Sequence, residues 1–281
     1  MDPIVSRQCW KTLEPVHALI YFAPEAQEEY AALGFDVKGN QAAGYFPARA
    51  AAMGAVTAGV VQATFFNFSA IAVVFGMDRA WDIASPQQVL AARYRAADRA
   101  LRRLCGDLLD SPDVLEATTL ARVASSGCIP EGRPLYAGNA SLEWPEVPHL
   151  ALFHAITLLR EFRGDGHVAA LVLEGVSGLE AAIMHVAQGD AWTREPLRKT
   201  RGYTSEEWDA AASGLRERGW LDGQDAFTQQ GREVRQRIED HTDRLALPAW
   251  QALGDEGAAR LRQLVRPLSS AVLEGGGLKI R

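Results

Sequence analysis

The 281-residue sequence lacks the features that define several large classes of protein. Its 3 cysteines are widely spaced and include no C-x-x-C pair, which is typical of reduced structural thiols and not of a disulfide framework or a zinc knuckle. No apolar run approaches the ~18 residues that a membrane-spanning helix needs. The first residues are acidic and polar where a secretory signal is apolar, so we expect a cytoplasmic protein without a membrane partner.

The fingerprints of three common enzyme classes are also missing. The sequence contains no G-x-S-x-G, no Walker phosphate loop and no G-x-G-x-x-G after a strand, so serine hydrolase, NTPase and Rossmann chemistry lack support. An excess of positive charge is missing too, because 29 Lys and Arg face 35 Asp and Glu, for a net charge of -6. Basic residues concentrate in 93–103, 194–201 and 260–266, and such runs are typical of solvated helix faces.

The N-terminal part has a helical pattern with many aromatic residues. A helix is predicted over 40–53, and the almost uncharged stretch 55–75 is predicted to form a buried helix pair because its length and alanine content favour helix over strand. The two stretches carry these candidate ligand-binding residues: Tyr45, Arg49, Phe65, Phe66 and Asn67.

The C-terminal part is predicted to contain helices over 149–162, 167–174, 177–187 and 205–218. Gly164-Asp165-Gly166 is predicted to break the first from the second, since glycine is unfavourable inside a helix. Arg160, Arg163, Asp165 and His167 crowd this break. Polar groups beside a core-forming segment must be paired with each other, with a ligand or with water. A functional site is therefore expected there.

The run 215–239, LRERGWLDGQDAFTQQGREVRQRIE, has the form of a winged helix. A helix ends in Arg-Gly, a strand and a tight turn follow, a second strand contains Phe-Thr, and a glycine opens the next helix. The sequence thus predicts a mainly α fold. A helical N-terminal domain (1–130) is joined by a loop-rich connection (131–148) to a winged helix-turn-helix domain (149–281) with a small two-stranded wing.

Several long segments resemble one known family. They are EPVHALIYFAPE (14–25), GYFPARAAAMG (44–54), GRPLYAGNASL (132–142), LLREFRGDGHVAAL (158–171) and the wing run above. On these residues the chain resembles an actinobacterial family of helix-turn-helix proteins of uncharacterised function, whose C-terminal half is like that of the MarR regulators. The resemblance covers nearly the whole chain. It implies the fold and does not imply an activity.

Three positions depart from the usual pattern of that family. Phe162 stands where a histidine is common, Ala52 replaces a proline and Tyr203 replaces a tryptophan. A ligand role of that histidine elsewhere in the family therefore does not carry over to this chain.

The helix predicted to enter a DNA groove has the wrong charge for that role. A recognition helix needs Arg, Lys, Asn or Gln in its first turns to reach base edges. The helix over 205–218 instead begins with Glu206, Glu207 and Asp209, and the wing turn adds Asp222 and Asp225. Carboxylates near phosphates oppose the counterion release that drives DNA binding. DNA is therefore a disfavoured partner, although the fold often serves it.

Two residue pairs are candidates for acid-base or ligand chemistry. His17 and Tyr21 lie one helical turn apart and point the same way, as a catalytic or ligand pair or as a hydrogen-bonded core histidine. His167 follows Asp165, whose carboxylate is expected to raise the pKa of the imidazole; the alternative is that Asp165 caps a helix starting there. His17 and His167 are also candidate metal ligands.

These residues together predict a pocket for a flat organic ligand or a haem-like cofactor. Apolar walls with a few polar anchors are typical of small-molecule sites, and a histidine is a common axial ligand of haem. His17, Tyr21, Asp165 and His167 are the catalytic candidates. The ligand-binding candidates are Tyr45, Arg49, Phe65, Phe66, Asn67, Arg160 and Arg163.

Two functions follow from the sequence. The first is a small-molecule-binding protein, with haem or a metal ion as a candidate cofactor, or an enzyme of actinobacterial specialised metabolism, built on a winged-helix frame. The second is a MarR-like transcriptional regulator that responds to a ligand. A homodimer is expected to form through the amphipathic stretch Leu261 to Leu273.

Overall fold

The computed structural model describes residues 1–38, 41–189 and 192–278, which are mainly helical. The helices are α1 (Ile4–Ala18), α2 (Pro24–Ala32), α3 (Gln41–Ala50), α4 (Ala58–Phe65), α5 (Ala70–Met77), α6 (Ala80–Ile83), α7 (Pro86–Cys105), α8 (Pro112–Ser126), α9 (Pro134–Ala140), α10 (Pro148–Leu173), α11 (Gly178–Ala187), α12 (Arg194–Arg201), α13 (Ser205–Glu217) and α14 (Gln229–Glu274). Short 3₁₀ turns extend α1, α3 and α7. The helix predicted over 40–53 corresponds to α3 and its turn, while Asn40 lies outside the described residues.

Local capping chemistry sets where several helices begin. Ser85 accepts a hydrogen bond from the Gln88 N–H while the Gln88 side chain accepts from the Ser85 N–H, and Pro86 occupies the first turn of α7. Thr204 and Glu207 repeat this reciprocal arrangement at the start of α13. Such caps satisfy N–H groups that the first turn of a helix leaves without partners.

The main core is a bundle in which α1 and α8 pack against α10 and α14. Phe153, Ile156 and Phe162 from α10 are almost completely buried there. From α14, most of the apolar residues of the stretch predicted to dimerise are buried in this same core, Leu273 being exposed: Leu261, Leu264, Val265, Leu268 and Val272. These residues already pack against other helices of the same chain, so they give no support to a dimer through that stretch.

A second apolar cluster joins α11, α12 and α13 to the end of α10 and the start of α14. Trp208 and Leu215 of α13 lie at its centre and are 2% and 0% exposed. Both α10 and α14 contribute residues to both clusters. The division into domains at 131–148 is not decided by these cores and stays a prediction.

The predicted break at Gly164-Asp165-Gly166 is wrong, because α10 runs unbroken from Pro148 to Leu173. Gly166 makes room for a neighbour, because a Cβ there would lie 2.8 Å from a guanidinium nitrogen of Arg133. A Cβ on Gly164 would make only ordinary contacts with Glu161 and Arg160, at 3.4 and 3.5 Å. Close approach of Arg133 therefore explains Gly166 without a helix break, and the structure does not require a glycine at position 164.

The stretch 55–75 forms the predicted helix pair, α4 and α5, but the pair is not buried on all sides. Ile71 and Phe75 of α5 are 75% and 62% exposed, while Val73 is fully buried. The length and apolar composition predicted the helices correctly. They could not predict burial, because burial depends on which neighbours cover each face.

The predicted two-stranded wing is not seen among the described residues. Among the described residues, the segment after α13 forms a turn closed by a single antiparallel bridge between Leu221 and Phe227. Asp222 Oδ1 accepts hydrogen bonds from the N–H groups of Gln224 and Ala226, and these side-chain bonds hold the turn. A longer ladder has little room, because α13 ends at Glu217 and Thr228 already caps the start of α14.

No single helix in the described part of the chain is long and apolar enough to cross a membrane. Helices α10 and α11 pass such a test of length and composition only when taken together, and they are bent by 99° relative to each other.

Candidate functional site

A cavity of about 250 Å³ lies where the middle of α10 faces α11, α12 and the start of α14. The ends of α3 and α4 close its other side. Its polar lining consists of Arg49, Thr64, Asn67, Arg160, Asp165, His167, His185, Arg201 and Arg235. Its apolar and small lining consists of Phe65, Phe66, Gly164, Val168, Leu171, Ala181, Ala182, Met184, Trp192, Leu197 and Ile238. The cavity therefore touches both apolar clusters.

The wall contributed by α3 and α10 is built around one buried carboxylate. Glu161 is 1% exposed, and its carboxylate accepts hydrogen bonds from Arg49 Nη2 at 2.9 Å and Arg160 Nη1 at 2.7 Å. Burial alone would raise the pKa of Glu161, but the two guanidinium groups hold it well below its usual range. Arg160 also lies 3.6 Å from Glu14, whose pKa is raised by burial. Two lining arginines are thus fixed by ion pairs.

The cavity is rich in positive charge. Arg49, Arg160, Arg201 and Arg235 line it, against the single carboxyl group of Asp165. Burial raises the pKa of Asp165 to about 6, although its Oδ2 accepts a hydrogen bond from the Tyr136 N–H. A carboxyl group with such a pKa balances the surrounding cations less than a normal aspartate does.

Arg201 differs from the other three arginines because it has no acidic partner in the part of the chain that the structure describes. Arg235 pairs with Glu239 at 2.5 Å, and Arg49 and Arg160 share Glu161. Within the described residues, Arg201 makes no ion pair, and its buried Nε has no hydrogen-bond acceptor. Its guanidinium lies 4.4 Å from the ring centroid of Phe68, and burial lowers its pKa. The sequence predicted that 194–201 is a solvated face, which is wrong at this position.

Backbone strain occurs at the rim of the cavity. Phe66 ends α4 with φ 58° and ψ -54°, a conformation that bulky residues rarely adopt. Its carbonyl packs directly against Gly178 at the start of α11, where a Cβ would overlap the oxygen. Strained residues persist only when their surroundings hold them, and they concentrate at functional sites.

His167 lines the cavity as a neutral imidazole. Its Nδ1 lies 2.9 Å from Thr242 Oγ1, and burial lowers its pKa to about 4. The expectation that Asp165 raises this pKa is wrong. The two residues are two positions apart on one continuous helix, where side chains do not face each other, and Asp165 bonds to the backbone of α9 instead.

His17 and Tyr21 form the predicted pair, but inside the core and away from the cavity lining. His17 Nε2 lies 2.7 Å from Tyr21 Oη, and Nδ1 lies 3.1 Å from Thr157 Oγ1. Burial, helped by the charge of Arg160, lowers the pKa of His17 well below its usual value. Since both ring nitrogens are occupied, this geometry matches the core-histidine alternative.

The residues do not fit the predicted haem or metal site. His17 and His167 do not share a lining, and His17 has no free nitrogen to coordinate iron. Among the described residues, no group of three or more His, Cys, Asp or Glu side chains is arranged to hold a metal ion.

The other predicted site residues divide between the cavity and its surroundings. Arg49, Phe65, Phe66, Asn67 and Arg160 line the cavity together with Asp165 and His167. Tyr45 lies behind this wall against Phe46, Phe65 and Phe68. Arg163 points toward α14, where it pairs with Asp243 at 3.1 Å.

Sequence reasoning missed the contribution of the C-terminal helices to the cavity. Arg201, Arg235 and Trp192 come from segments whose sequence showed only charge runs or a polar link. Gly202, in a left-handed conformation, ends α12 directly after Arg201, but this local feature marks only the end of the helix and not the cavity.

The helix-turn-helix unit consists of α12, the turn around Gly202 and α13. The exposed face of α13 carries Glu206, Glu207 and Asp209, as the sequence predicted. Basic residues of the unit are engaged internally, since Arg194 pairs with Asp209 at 2.7 Å and Arg216 pairs with Asp225. This surface offers few free cations to a phosphate backbone.

The fold and cavity define a helical protein with a helix-turn-helix unit packed over a cationic cavity. The chain belongs to a helix-turn-helix family, whose model matches residues 6–279. No curated protein and no solved structure is significantly similar to it.

Proposed function

We propose that this protein binds a small organic anion in the cavity between α10 and the helix-turn-helix unit. The observation that carries the proposal is the guanidinium of Arg201, which lines the cavity without an ion pair or a hydrogen-bond acceptor for its buried Nε among the described residues. An unpaired charge removed from water is costly, and a bound anion would remove that cost. Carboxylates and phosphates match the planar guanidinium with two parallel hydrogen bonds.

The other lining arginines are already paired with carboxylates. Arg49 and Arg160 share Glu161, and Arg160 also lies 3.6 Å from Glu14. Arg235 is paired with Glu239. Within the described residues, Arg201 is therefore the lining cation left without a carboxylate, and its charge favours an anion over a neutral or cationic molecule.

The volume and walls of the cavity favour a compact ligand with an apolar body. Small-molecule pockets usually span ~300–1,000 Å³, and this cavity of about 250 Å³ is slightly smaller than that range. Phe65, Phe66 and Trp192 provide flat apolar surfaces. A single-ring or two-ring aromatic acid matches this combination of size, walls and charge.

Isothermal titration calorimetry with phenylacetate and its neutral isostere phenylacetamide tests the proposal. We expect phenylacetate to bind and the amide to bind at least tenfold more weakly. Arg201→Gln should weaken phenylacetate binding by about 1.5–3 kcal/mol, the contribution of hydrogen bonds to charged groups. Lys199→Gln is the matched control, because it removes an exposed charge of the same helix that does not line the cavity. Equal affinity in wild type and Arg201→Gln would contradict the proposal.

A second candidate function is DNA binding by a regulator of MarR-like type, and family membership favours it. The unit α12–turn–α13, followed by a tight turn, has the order of a winged helix-turn-helix. An anion at Arg201, the last residue of α12, would then sit beside the turn that sets the position of α13. The exposed carboxylates of α13 oppose this function.

Three further features remain proposals: a cytoplasmic location, a homodimer, and a domain boundary in 131–148.

A further inference from the structure

The tautomer of His167 is fixed by a threonine. Thr242 Oγ1 donates its only proton to the carbonyl oxygen of Ile238 at 2.7 Å. Thr242 Oγ1 also lies 2.9 Å from His167 Nδ1. Because its proton is already donated to Ile238, Thr242 Oγ1 can only accept a hydrogen bond from that nitrogen. His167 therefore carries its proton on Nδ1, and Nε2 keeps a lone pair.

The core of the same protein contains a second copy of this arrangement. Thr157 Oγ1 donates to the Phe153 carbonyl at 2.8 Å and accepts from His17 Nδ1 at 3.1 Å. The lone pair of His17 Nε2 is then satisfied by the hydroxyl of Tyr21, which donates at 2.7 Å. In this copy the acceptor nitrogen has a hydroxyl donor supplied by the chain.

His167 Nε2 has no such donor among the described residues, and His167 lines the cavity. His167 Nε2 does not take up a proton near neutral pH, because burial lowers the pKa of His167 to about 4. The charged groups around it are Glu239, Arg235, Arg163 and Arg160, and their effects on this pKa oppose one another. Nε2 is not sealed from solvent, so its lone pair can accept a hydrogen bond from a donor on a bound ligand.

We infer that the ligand of this cavity is an aromatic acid that also carries an O–H or N–H donor, and that His167 Nε2 accepts a hydrogen bond from that donor. The inference rests on the proposed function, since the acidic group is the partner of Arg201. The ligand then has two anchors, Arg201 for its acidic group and His167 for its donor, and His167 selects among acids. A site that holds a hydrogen-bonding group discriminates strongly against ligands that lack the group.

Matched pairs of ligands that differ only in the donor test this inference. The pairs are indole-3-acetate with 1-methylindole-3-acetate, 4-hydroxyphenylacetate with 4-methoxyphenylacetate, and mandelate with 2-methoxy-2-phenylacetate. Calorimetry on the full-length protein at pH 7 should show, in at least one pair, about tenfold tighter binding of the donor-bearing acid. A tenfold ratio corresponds to about 1.4 kcal/mol.

Variants at two positions separate a selecting role from a structural one. His167→Phe keeps a ring of similar size but removes the acceptor, so the preference within the pair should fall to about twofold or less. Thr242→Val removes the group that fixes the tautomer and should also reduce the preference. Thr242→Ser retains the hydroxyl and should restore it.

The tautomer itself can be measured without a ligand or a variant. The ¹⁵N chemical shifts of the His167 ring should report a protonated Nδ1 and an unprotonated Nε2 at pH 7. A ring protonated on Nε2 would overturn the inference, as would binding of the acids without preference for a donor in any pair. A preference that survives in His167→Phe would overturn it too. If no acid binds the wild-type protein at all, the proposed function fails as well, so the two failures are distinguishable.

Discussion

Arg49 Nη2 and Glu161 Oε2 lie 2.9 Å apart and join α3 to the middle of α10. The same carboxylate oxygen lies 2.7 Å from Arg160 Nη1. Because Glu161 is almost completely buried, this pair is shielded from water and salt in a way that surface pairs are not. It forms the wall of the cavity that faces the N-terminal helices.

Replacing Glu161 by Gln should destabilise the protein by about 3–5 kcal/mol, because the change leaves Arg49 buried without its counter-ion and Arg160 with only the more distant Glu14. Urea unfolding followed by circular dichroism measures the loss. Glu116→Gln is the control, since it breaks an arginine–carboxylate pair with Arg260 that lies on the surface. A similar loss of stability in both variants would show that the Glu161 cluster has no special role.

Gly178→Ala should destabilise the protein by about 1–3 kcal/mol, because the new Cβ would overlap the Phe66 carbonyl and push α11 away from the end of α4. The same change should weaken binding of phenylacetate, since Phe66 shapes the cavity. Gly214→Ala, in open space on α13, is expected to stabilise by about 0.5–1 kcal/mol. Equal thermal stability of Gly178→Ala and Gly214→Ala would show that a Cβ at position 178 does not clash with the Phe66 carbonyl.

The stability of the protein should fall as the pH is lowered from about 6.5 to 4, with a contribution from His154. Burial lowers the pKa of this histidine to about 4, so the unfolded chain takes up its proton first, and the stabilisation present above pH 6.5 is lost as pH falls toward 4. Asp165 acts in the opposite sense, because its raised pKa costs stability as pH rises through about 6.

His154→Gln removes this titration and should reduce the slope of unfolding free energy against pH by up to about 1.4 kcal/mol per pH unit in that window. Urea midpoints at half-unit pH steps give the slope. Between pH 7 and 8 the slopes of wild type and variant should coincide. An unchanged slope between pH 6.5 and 4 would mean that His154 is not held neutral by burial.

Glu206→Gln tests whether α13 approaches DNA. If it does, removal of this exposed carboxylate should strengthen binding to the DNA upstream of the gene, by less than about tenfold since the charge is screened. Lys199→Gln should weaken it. Fluorescence anisotropy at several salt concentrations measures both effects, and binding that is absent at low salt in all three proteins would remove the DNA-binding candidate.

Part of the site could be predicted from the sequence because its residues come from motifs with local structure. Arg49, Phe65 and Arg160 lie on or next to helices whose pattern is readable, and all line the cavity. Arg201 could not be predicted, because its position against α10 depends on how α12 packs and not on its neighbours in the chain. His17 was ambiguous for the same reason, since only packing reveals that Thr157 occupies its second nitrogen.

The sequence by itself predicted helices such as α3, α11 and α13, because hydrophobic periodicity and capping are interactions between residues a few positions apart. It did not predict α9, which lies within the stretch 131–148 that was expected to be rich in loops. Only the tertiary structure decided that Gly164 and Gly166 lie inside an unbroken helix, where Gly166 admits the side chain of Arg133. It also decided that Leu221 to Phe227 closes with one bridge. Long-range packing places Arg201 and His167 in the lining of one cavity, and no local sequence pattern predicts that they lie together.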